Sequence, residues 1–332
     1  MIQGRKPFLK VVALALFAIS GTAFAQNHET NIRPANNALP SSTAVEYNLP
    51  PNTLSAEVVY LTLAADLSLY RGRPDLAYQT YMSLAIKTRD PRYAELAYKV
   101  AAALDNPQAA VPAASLLKEL APNAVLGQDL LTVAKISSAY ASIDKQEYRP
   151  AYEAAKELLA QNPNNVGALS LLTDVADRLG YDKEALQAAE AWVKLEPDNS
   201  EALNSLGYFL ANKNTRLSEA EQLIKKANQI KPNTPHILDS MGWVAYRQGR
   251  LDDAVPFLKQ AVTMDPHEEV LTHLGEVLWQ KGDRDEAMKT FKAAYQANSF
   301  SPVLRDTLER LGIALNSVST PAKPAIPKKG TK

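Results

Sequence analysis

The sequence predicts an all-α protein: a right-handed superhelical α-solenoid of about seven helix pairs, followed by a C-terminal capping helix. Three observations predict this fold class. Alanine recurs at a spacing near 34 residues, glycine often stands five residues before these alanines, and proline often stands twelve residues after them. A period of this length is typical of stacked helix pairs, because one pair cannot bury its apolar face alone.

The recurring alanines mark the second helix of each predicted pair. They are separated by 33, 41, 34, 35, 34 and 33 residues, so only the second interval departs clearly from the period. The long interval is interpreted as an extended loop around Asn123 to Gly127. The marker alanines are Ala77, Ala110, Ala151, Ala185, Ala220, Ala254 and Ala287.

Residues 235–266 contain the clearest of the predicted pairs. Gly242 and Ala254 are expected where the two antiparallel helices cross, since small residues let the backbones approach closely. Gly249 is expected to end the first helix in a left-handed turn. Pro266 is expected to stop the second helix, because proline lacks the backbone N–H group.

The N-terminal residues 1–25 have the pattern of a signal peptide, with a basic start, an apolar run from Val11 to Ser20 and small residues that predict a cut after Ala25. The chain has no cysteine, so no lipobox cysteine and no disulfide are expected. The mature chain is therefore predicted to be periplasmic, with no integral membrane span.

The remaining boundaries follow from composition and period. Residues 26–53 are predicted to form a flexible leader, because they are rich in Pro and Asn and show no helical period. Residues 54–163 are predicted to hold degenerate helix pairs and 164–299 the regular units. Residues 300–312 are predicted to form the capping helix, and 313–332 a disordered tail rich in Pro and Lys.

The sequence contains no spacing of residues that is typical of a catalytic site. His267 and His273 are six residues apart, which puts them about 240° apart on a helix, whereas a zinc protease helix needs a spacing of four. No glycine-rich phosphate loop is present. Near-balanced charge, with 36 basic and 36 acidic residues, argues against nucleic acid as a partner. We expect no enzymatic activity, no catalytic residue, no cofactor and no metal site.

The remaining functional hypothesis is binding of a protein or peptide. In a stack of this kind the first helices line the concave groove, and polar and aromatic residues recur at the positions that face it. For the aromatic residues, packing between units is the alternative interpretation; for the polar ones it is an ordinary solvated surface. The candidate groove residues are Asn204, Tyr208, Asp239, Trp243, Tyr246, Arg247, Glu276 and Trp279.

The period identifies the chain as similar to the tetratricopeptide repeat family. Within residues 204–208, 239–247 and 273–279, the strings NSLGY, DSMGWVAYR and HLGEVLW resemble the C-terminal repeats of bacterial envelope adaptors. Those adaptors bind carboxyl-terminal processing proteases and deliver substrates to them. The resemblance implies an exported adaptor or scaffold whose partner is such a protease or its substrate. The alternative is a structural assembly component of an envelope machine, such as a pilus, secretion or cell-wall complex.

Overall fold

The structure, a computed structural model, describes Tyr47 and residues 55–319. Within these residues all regular secondary structure is helical, with fifteen α-helices and one short 3₁₀-helix, Leu315–Ser317. The predicted signal peptide, nearly all of the predicted leader and the end of the predicted tail lie outside the described residues. The α-helices are α1 Ala56–Tyr70, α2 Pro74–Thr88, α3 Pro91–Ala103, α4 Pro107–Leu120, α5 Val125–Asp144, α6 Tyr148–Gln161, α7 Val166–Arg178, α8 Asp182–Leu195, α9 Ser200–Asn212, α10 Leu217–Ile230, α11 Pro235–Arg247, α12 Leu251–Met264, α13 Glu268–Lys281, α14 Arg284–Ala297 and α15 Pro302–Arg310.

The chain divides into two compact units, residues 1–181 and 182–332. The first unit contains α1 to α7 and the second contains α8 to α15, and in each unit helices pack against their neighbours along the chain. The predicted all-α fold of consecutive helix pairs is confirmed. Among the fully buried side chains are Tyr81, Leu84 and Leu117 in the first unit and Ile224, Leu258 and Phe291 in the second.

Small residues hold the helix pairs close together at their crossing points. All seven marker alanines lie in second helices and are buried. A Cβ atom added to Gly242 of α11 would lie 2.5 Å from Cγ of Leu258 and 3.1 Å from the carbonyl oxygen of Ala254, both on α12. One added to Gly275 of α13 would lie 2.6 Å from the ring of Phe291. The crossings therefore depend on glycine for their closeness.

The turns within the pairs contain residues in the left-handed conformation. Gly249 ends α11 with a φ of 79°, as predicted. The turn between α9 and α10 lacks glycine, and Asn214 takes a positive φ of 54° there, since asparagine tolerates this region better than most residues.

The predicted extended loop around Asn123 to Gly127 is wrong. Only four residues, 121–124, separate α4 from α5, and the additional length lies in α5 itself, which has 20 residues where α3, α7 and α9 each have 13. Seven residues make about two helical turns, so the lengthened helix keeps its packing face in phase. Gly127 lies inside α5, where an added Cβ would be 2.9 Å from Cα of Lys118.

The final helix, α15, packs against α13 and α14. The Ser301 side chain caps it by accepting a hydrogen bond of 3.2 Å from the backbone N–H of Leu304, and Pro302 occupies its first position. Leu304 and Leu308 are buried, while Arg310 extends towards α13.

Candidate functional site

The eight candidate groove residues lie on three first helices of the second unit, α9, α11 and α13. We call this set of helices and their outward side chains the first-helix face. Four of the candidates are buried: Asn204, Asp239, Trp243 and Glu276 are 8%, 6%, 3% and 1% exposed. Tyr208, Tyr246, Arg247 and Trp279 are partly exposed. The buried four present little surface to a partner, and the role of all eight in partner binding stays a prediction.

A buried aromatic and ionic cluster lies at the centre of this face. The His273 ring stacks on Trp243 with centroids 4.1 Å apart, and its Nδ1 lies 2.9 Å from both carboxylate oxygens of Asp239. The ring of Tyr208 is 6.1 Å from His273, and the Arg247 guanidinium is 5.8 Å from the Trp243 ring. These side chains come from all three first helices, so the cluster joins consecutive repeats.

The charge state of His273 follows from its burial and from three acidic neighbours. Burial alone would lower the pKa of this imidazole, because it disfavours the charged form. The charge and the hydrogen bond of Asp239, together with the charges of Glu269 and Glu276, outweigh burial and raise the pKa of His273 above its ordinary value. An imidazolium–carboxylate pair is thereby favoured inside the face.

A second buried group links the face to the capping helix. Glu276 accepts hydrogen bonds from the Tyr246 hydroxyl at 2.8 Å and from Arg310 Nη2 at 2.9 Å. Burial would raise the pKa of Glu276, but these hydrogen bonds outweigh it and lower the pKa. Burial, reinforced by the charge of Glu276, raises the pKa of Tyr246, so its hydroxyl stays protonated as a donor.

Three further contacts involve side chains of the first-helix face. Tyr208 donates a hydrogen bond of 2.9 Å to Glu269, and Glu201 lies 2.7 Å from Nε2 of His236. Trp279 is covered on one side by Arg284, whose guanidinium lies 3.8 Å from the ring centroid. The partly exposed aromatic side chains are thus held in fixed positions by their neighbours.

Asn204 and Trp243 each carry a buried polar atom that stays unpaired. Asn204 Oδ1 and Trp243 Nε1 have no hydrogen-bond partner among the described residues. A buried polar group costs free energy when it is left unpaired. The interior of the face thus contains one hydrogen-bond acceptor and one donor that no described residue pairs with.

His273 and Arg310 are the two important residues that the sequence interpretation missed. Each lies 34 residues after the carboxylate that it pairs with, Asp239 and Glu276. Residues one period apart occupy equivalent places in adjacent repeats, so the period itself was the signal that could have found both pairs.

The described residues contain neither a group of side chains suited to a metal ion nor a helix suited to span a membrane. No group of three or more His, Asp or Glu side chains in residues 55–319 is arranged to hold a metal ion. Among the described helices, none combines the length and the apolar character needed to cross a membrane. The absence of enzymatic activity stays a prediction.

Comparison with known proteins finds a family model that matches part of the second unit. Residues 240–302, which include α12, α13, α14 and most of α11, match the family model of the tetratricopeptide repeat. The fold is that of stacked tetratricopeptide repeats. The part of the earlier resemblance that concerns envelope adaptors for proteases stays a prediction.

Two curated relatives and one solved structure are similar to this chain. TPR repeat-containing protein PA4667 of Pseudomonas aeruginosa is 41% identical over 178 residues, which cover 53% of this chain and 29% of that protein. Anaphase-promoting complex subunit 7 of Dictyostelium discoideum is 26% identical over 141 residues, covering 42% of this chain and 24% of that protein. This chain therefore spans less than a third of either relative. A tetratricopeptide repeat protein from Parabacteroides merdae aligns with a TM-score of 0.55 and 13% identity, covering 76% of this chain and 97% of that one.

Proposed function

We propose that the chain is a protein–protein interaction scaffold whose first-helix face binds a protein or peptide. One observation carries the proposal: Tyr208, Tyr246, Arg247 and Trp279 are partly exposed on consecutive repeats, and each contacts a neighbouring side chain that restrains it. Aromatic and arginine side chains provide much of the binding free energy in protein interfaces. Side chains that are already ordered lose less conformational entropy on binding.

The buried residues support this face rather than contact a partner. Asp239 and His273 keep Trp243 in place, and Glu276 holds Tyr246 by its hydroxyl. A variant with alanine at both Asp239 and Trp243 is therefore expected to lose helix packing as well as binding. The partly exposed residues give a cleaner test of the proposal.

For the partner, we propose a carboxyl-terminal processing protease of the periplasm or one of its substrates. The signal-peptide pattern of residues 1–25 and the three repeat strings support this proposal. The scaffold would act by raising the local concentration of substrate near the protease, since joining two binding events makes the second effectively intramolecular.

The test measures binding of the purified processing protease from the same cell to immobilised chain. Replacing Tyr208 and Arg247 together by alanine is expected to weaken binding at least tenfold, with unchanged helical circular dichroism. Arg305→Ala is the matched control, because Arg305 is exposed on α15 outside the face. Equal binding by the double variant and the wild type would remove the first-helix face from the proposal, and failure of the wild type to bind would remove the protease.

The second candidate function is structural assembly within an envelope machine, with contacts made by the first unit. Its supporting observation is that Ile86 and Val125 of that unit, both outside α1, are 62% and 73% exposed. A chain that begins at residue 165 separates the candidates: it keeps the first-helix face and should still bind the protease, but should fail to assemble.

A further inference from the structure

The outward face of α1 is covered by large apolar side chains. Tyr60, Leu63 and Tyr70 are 70%, 61% and 77% exposed, and Val59 and Leu67 are 43% and 45% exposed. A surface helix ordinarily has an apolar stripe on one side and polar residues on the other. Among the described residues nothing covers this face of α1.

The opposite face of α1 is already used by the fold. Val58 and Ala65 are buried in the core of the first unit, and Thr62 contacts Tyr93 of α3 through their hydroxyl groups. The helix is therefore apolar on both sides, which is the pattern of a helix buried on both sides. The inner contacts do not explain the outer side chains.

The outer side chains follow a heptad pattern. Tyr60, Leu63, Leu67 and Tyr70 are separated by three, four and three residues, which is the spacing of the a and d positions along a coiled-coil seam. This seam fits a second helix of the same spacing better than a flat or irregular surface.

We propose that α1 is a homodimer interface, in which two copies of the chain pair antiparallel through this seam. The arrangement places Leu63 opposite Leu67 of the second copy and Tyr60 opposite Tyr70. Leu67 of the first copy then also meets Leu63 of the second, and Tyr70 meets Tyr60, because a two-fold symmetric interface makes every contact twice.

Charge complementarity favours a second copy as the occupant. The antiparallel pairing brings Glu57 near one end of α1 towards Arg71 of the second copy, just past its other end. Arg71 is exposed and makes no ion pair with another described residue, while Glu57 pairs only with the exposed Lys87, at 2.6 Å. The symmetry gives two such pairs, one at each end of the seam.

The acidic residue nearest the centre of the seam does not oppose the pairing. The carboxylate of Asp66 accepts a hydrogen bond from the hydroxyl of the buried Tyr81 on α2. This bond directs Asp66 towards its own unit and away from the two-fold axis.

The exposed area sets the expected strength of the dimer. With roughly 150 to 250 Å² for each aromatic side chain, the seam offers on the order of 500 Å² per copy. Stable interfaces bury about 800 Å² per partner, so a weak dimer is expected, with a dissociation constant on the order of 10 µM.

The first experiment measures the mass of the chain by sedimentation equilibrium up to about 100 µM, well above that dissociation constant. The wild type is expected to approach twice the monomer mass, and Leu63→Glu is expected to remain a monomer with the same helical circular dichroism. Phe300→Glu is the matched control and should still dimerise, because Phe300 is 74% exposed but lies in the second unit. A monomeric wild type at the highest concentration, or a dimeric Leu63→Glu, would overturn the interface.

The second experiment tests the antiparallel orientation by disulfide formation. The chain has no cysteine, so Tyr60→Cys and Tyr70→Cys can be made singly without other thiols. Mild oxidation of an equimolar mixture is expected to give the crosslinked mixed dimer, because disulfides need Cα atoms within about 7 Å. Neither variant should crosslink efficiently alone. Self-crosslinking of Tyr60→Cys without the mixed product would show a parallel pair and overturn the proposed orientation.

Discussion

At the scale of single residues, the first-helix face depends on charges paired inside the protein. Asp239 and His273 are both buried, and each satisfies the other. A buried ion pair is weak evidence for stability, but removing one member leaves an uncompensated charge and destabilises strongly. Substitution of either residue is therefore expected to disturb the Trp243 ring, which stacks on His273.

The raised pKa of His273 predicts a pH-dependent stability. A group with a pKa raised by folding contributes stability that is complete below its ordinary value of 6.5 and is lost as the pH rises through the folded-state pKa. The free energy of unfolding of the second unit is therefore expected to fall as the pH rises above 6.5, and to fall less in His273→Gln.

Urea denaturation at a series of pH values checks this prediction. The pKa of His267 is also raised, first through its hydrogen bond with Glu268, but His267 is present in both proteins. The difference between the two curves therefore isolates His273. Parallel curves for the wild type and His273→Gln would contradict the prediction.

The sequence patterns predicted which side of each helix these residues occupy, but not which side chains surround them. Asp239 and Glu276 were interpreted as polar groups available to a partner, because their own helices give no structural reason for them. The reason lies one repeat further along the chain, in His273 and Arg310. A helical period shows which side of a helix a residue occupies, but whether that side is open depends on side chains of the next repeat.

At the scale of helices, the closeness of each crossing depends on the absence of a side chain. The three atoms nearest to a Cβ atom added at Gly242 belong to the Leu258 side chain and the Ala254 carbonyl. Protein interiors are close-packed, so an added methyl group must move one of them or separate α11 from α12.

Gly242→Ala is expected to lower the free energy of unfolding by about 1 to 3 kcal/mol, the usual cost of overpacking. Alanine favours the helix over glycine by up to about 1 kcal/mol. A net loss of stability would therefore show that the close helix crossing, and not helix propensity, requires glycine at this position. Urea denaturation followed by circular dichroism measures the change.

The matched control is Gly249→Asn. Its φ of 79° suits asparagine, and no atom lies within 4 Å of an added Cβ, so a cost under about 1 kcal/mol is expected. A more stable Gly242→Ala protein would mean that the helices can separate at no cost.

At the scale of the whole chain, stability is expected to be local. Helices contact their neighbours along the chain within each unit, and repeat proteins gain stability mainly from such nearest-neighbour interfaces. Damage in one unit should therefore leave distant helices intact.

Phe291→Ala tests this locality by hydrogen exchange. Phe291 is fully buried beneath Gly275, so the truncation is expected to cost about 3 to 5 kcal/mol and to reduce protection in α13 to α15. Protection in α2 to α4 should be unchanged, and Lys292→Ala, at an exposed position, should change neither. A uniform loss of protection over all helices would show one cooperative unit instead.

The period of alanine, glycine and proline predicted the order of helices well, because each of these residues has a steric role that depends only on its own pair. It could not predict where additional residues are inserted. Asn123 to Gly127 contain two residues typical of loops, yet Gly127 packs inside α5 against the backbone of Lys118. Close approach of two helices and a turn both favour glycine, so the residue type alone does not separate them.

The additional turns of α5 bear on how such chains tolerate insertions and deletions. Seven residues rotate a helix by 700°, only about 20° short of two full revolutions, so every later side chain returns to nearly its former direction. An insertion of two residues would instead rotate the remainder of the helix by about 200° and turn its buried side outward. Helices of this kind can therefore change length by whole turns while every later side chain keeps nearly its former direction.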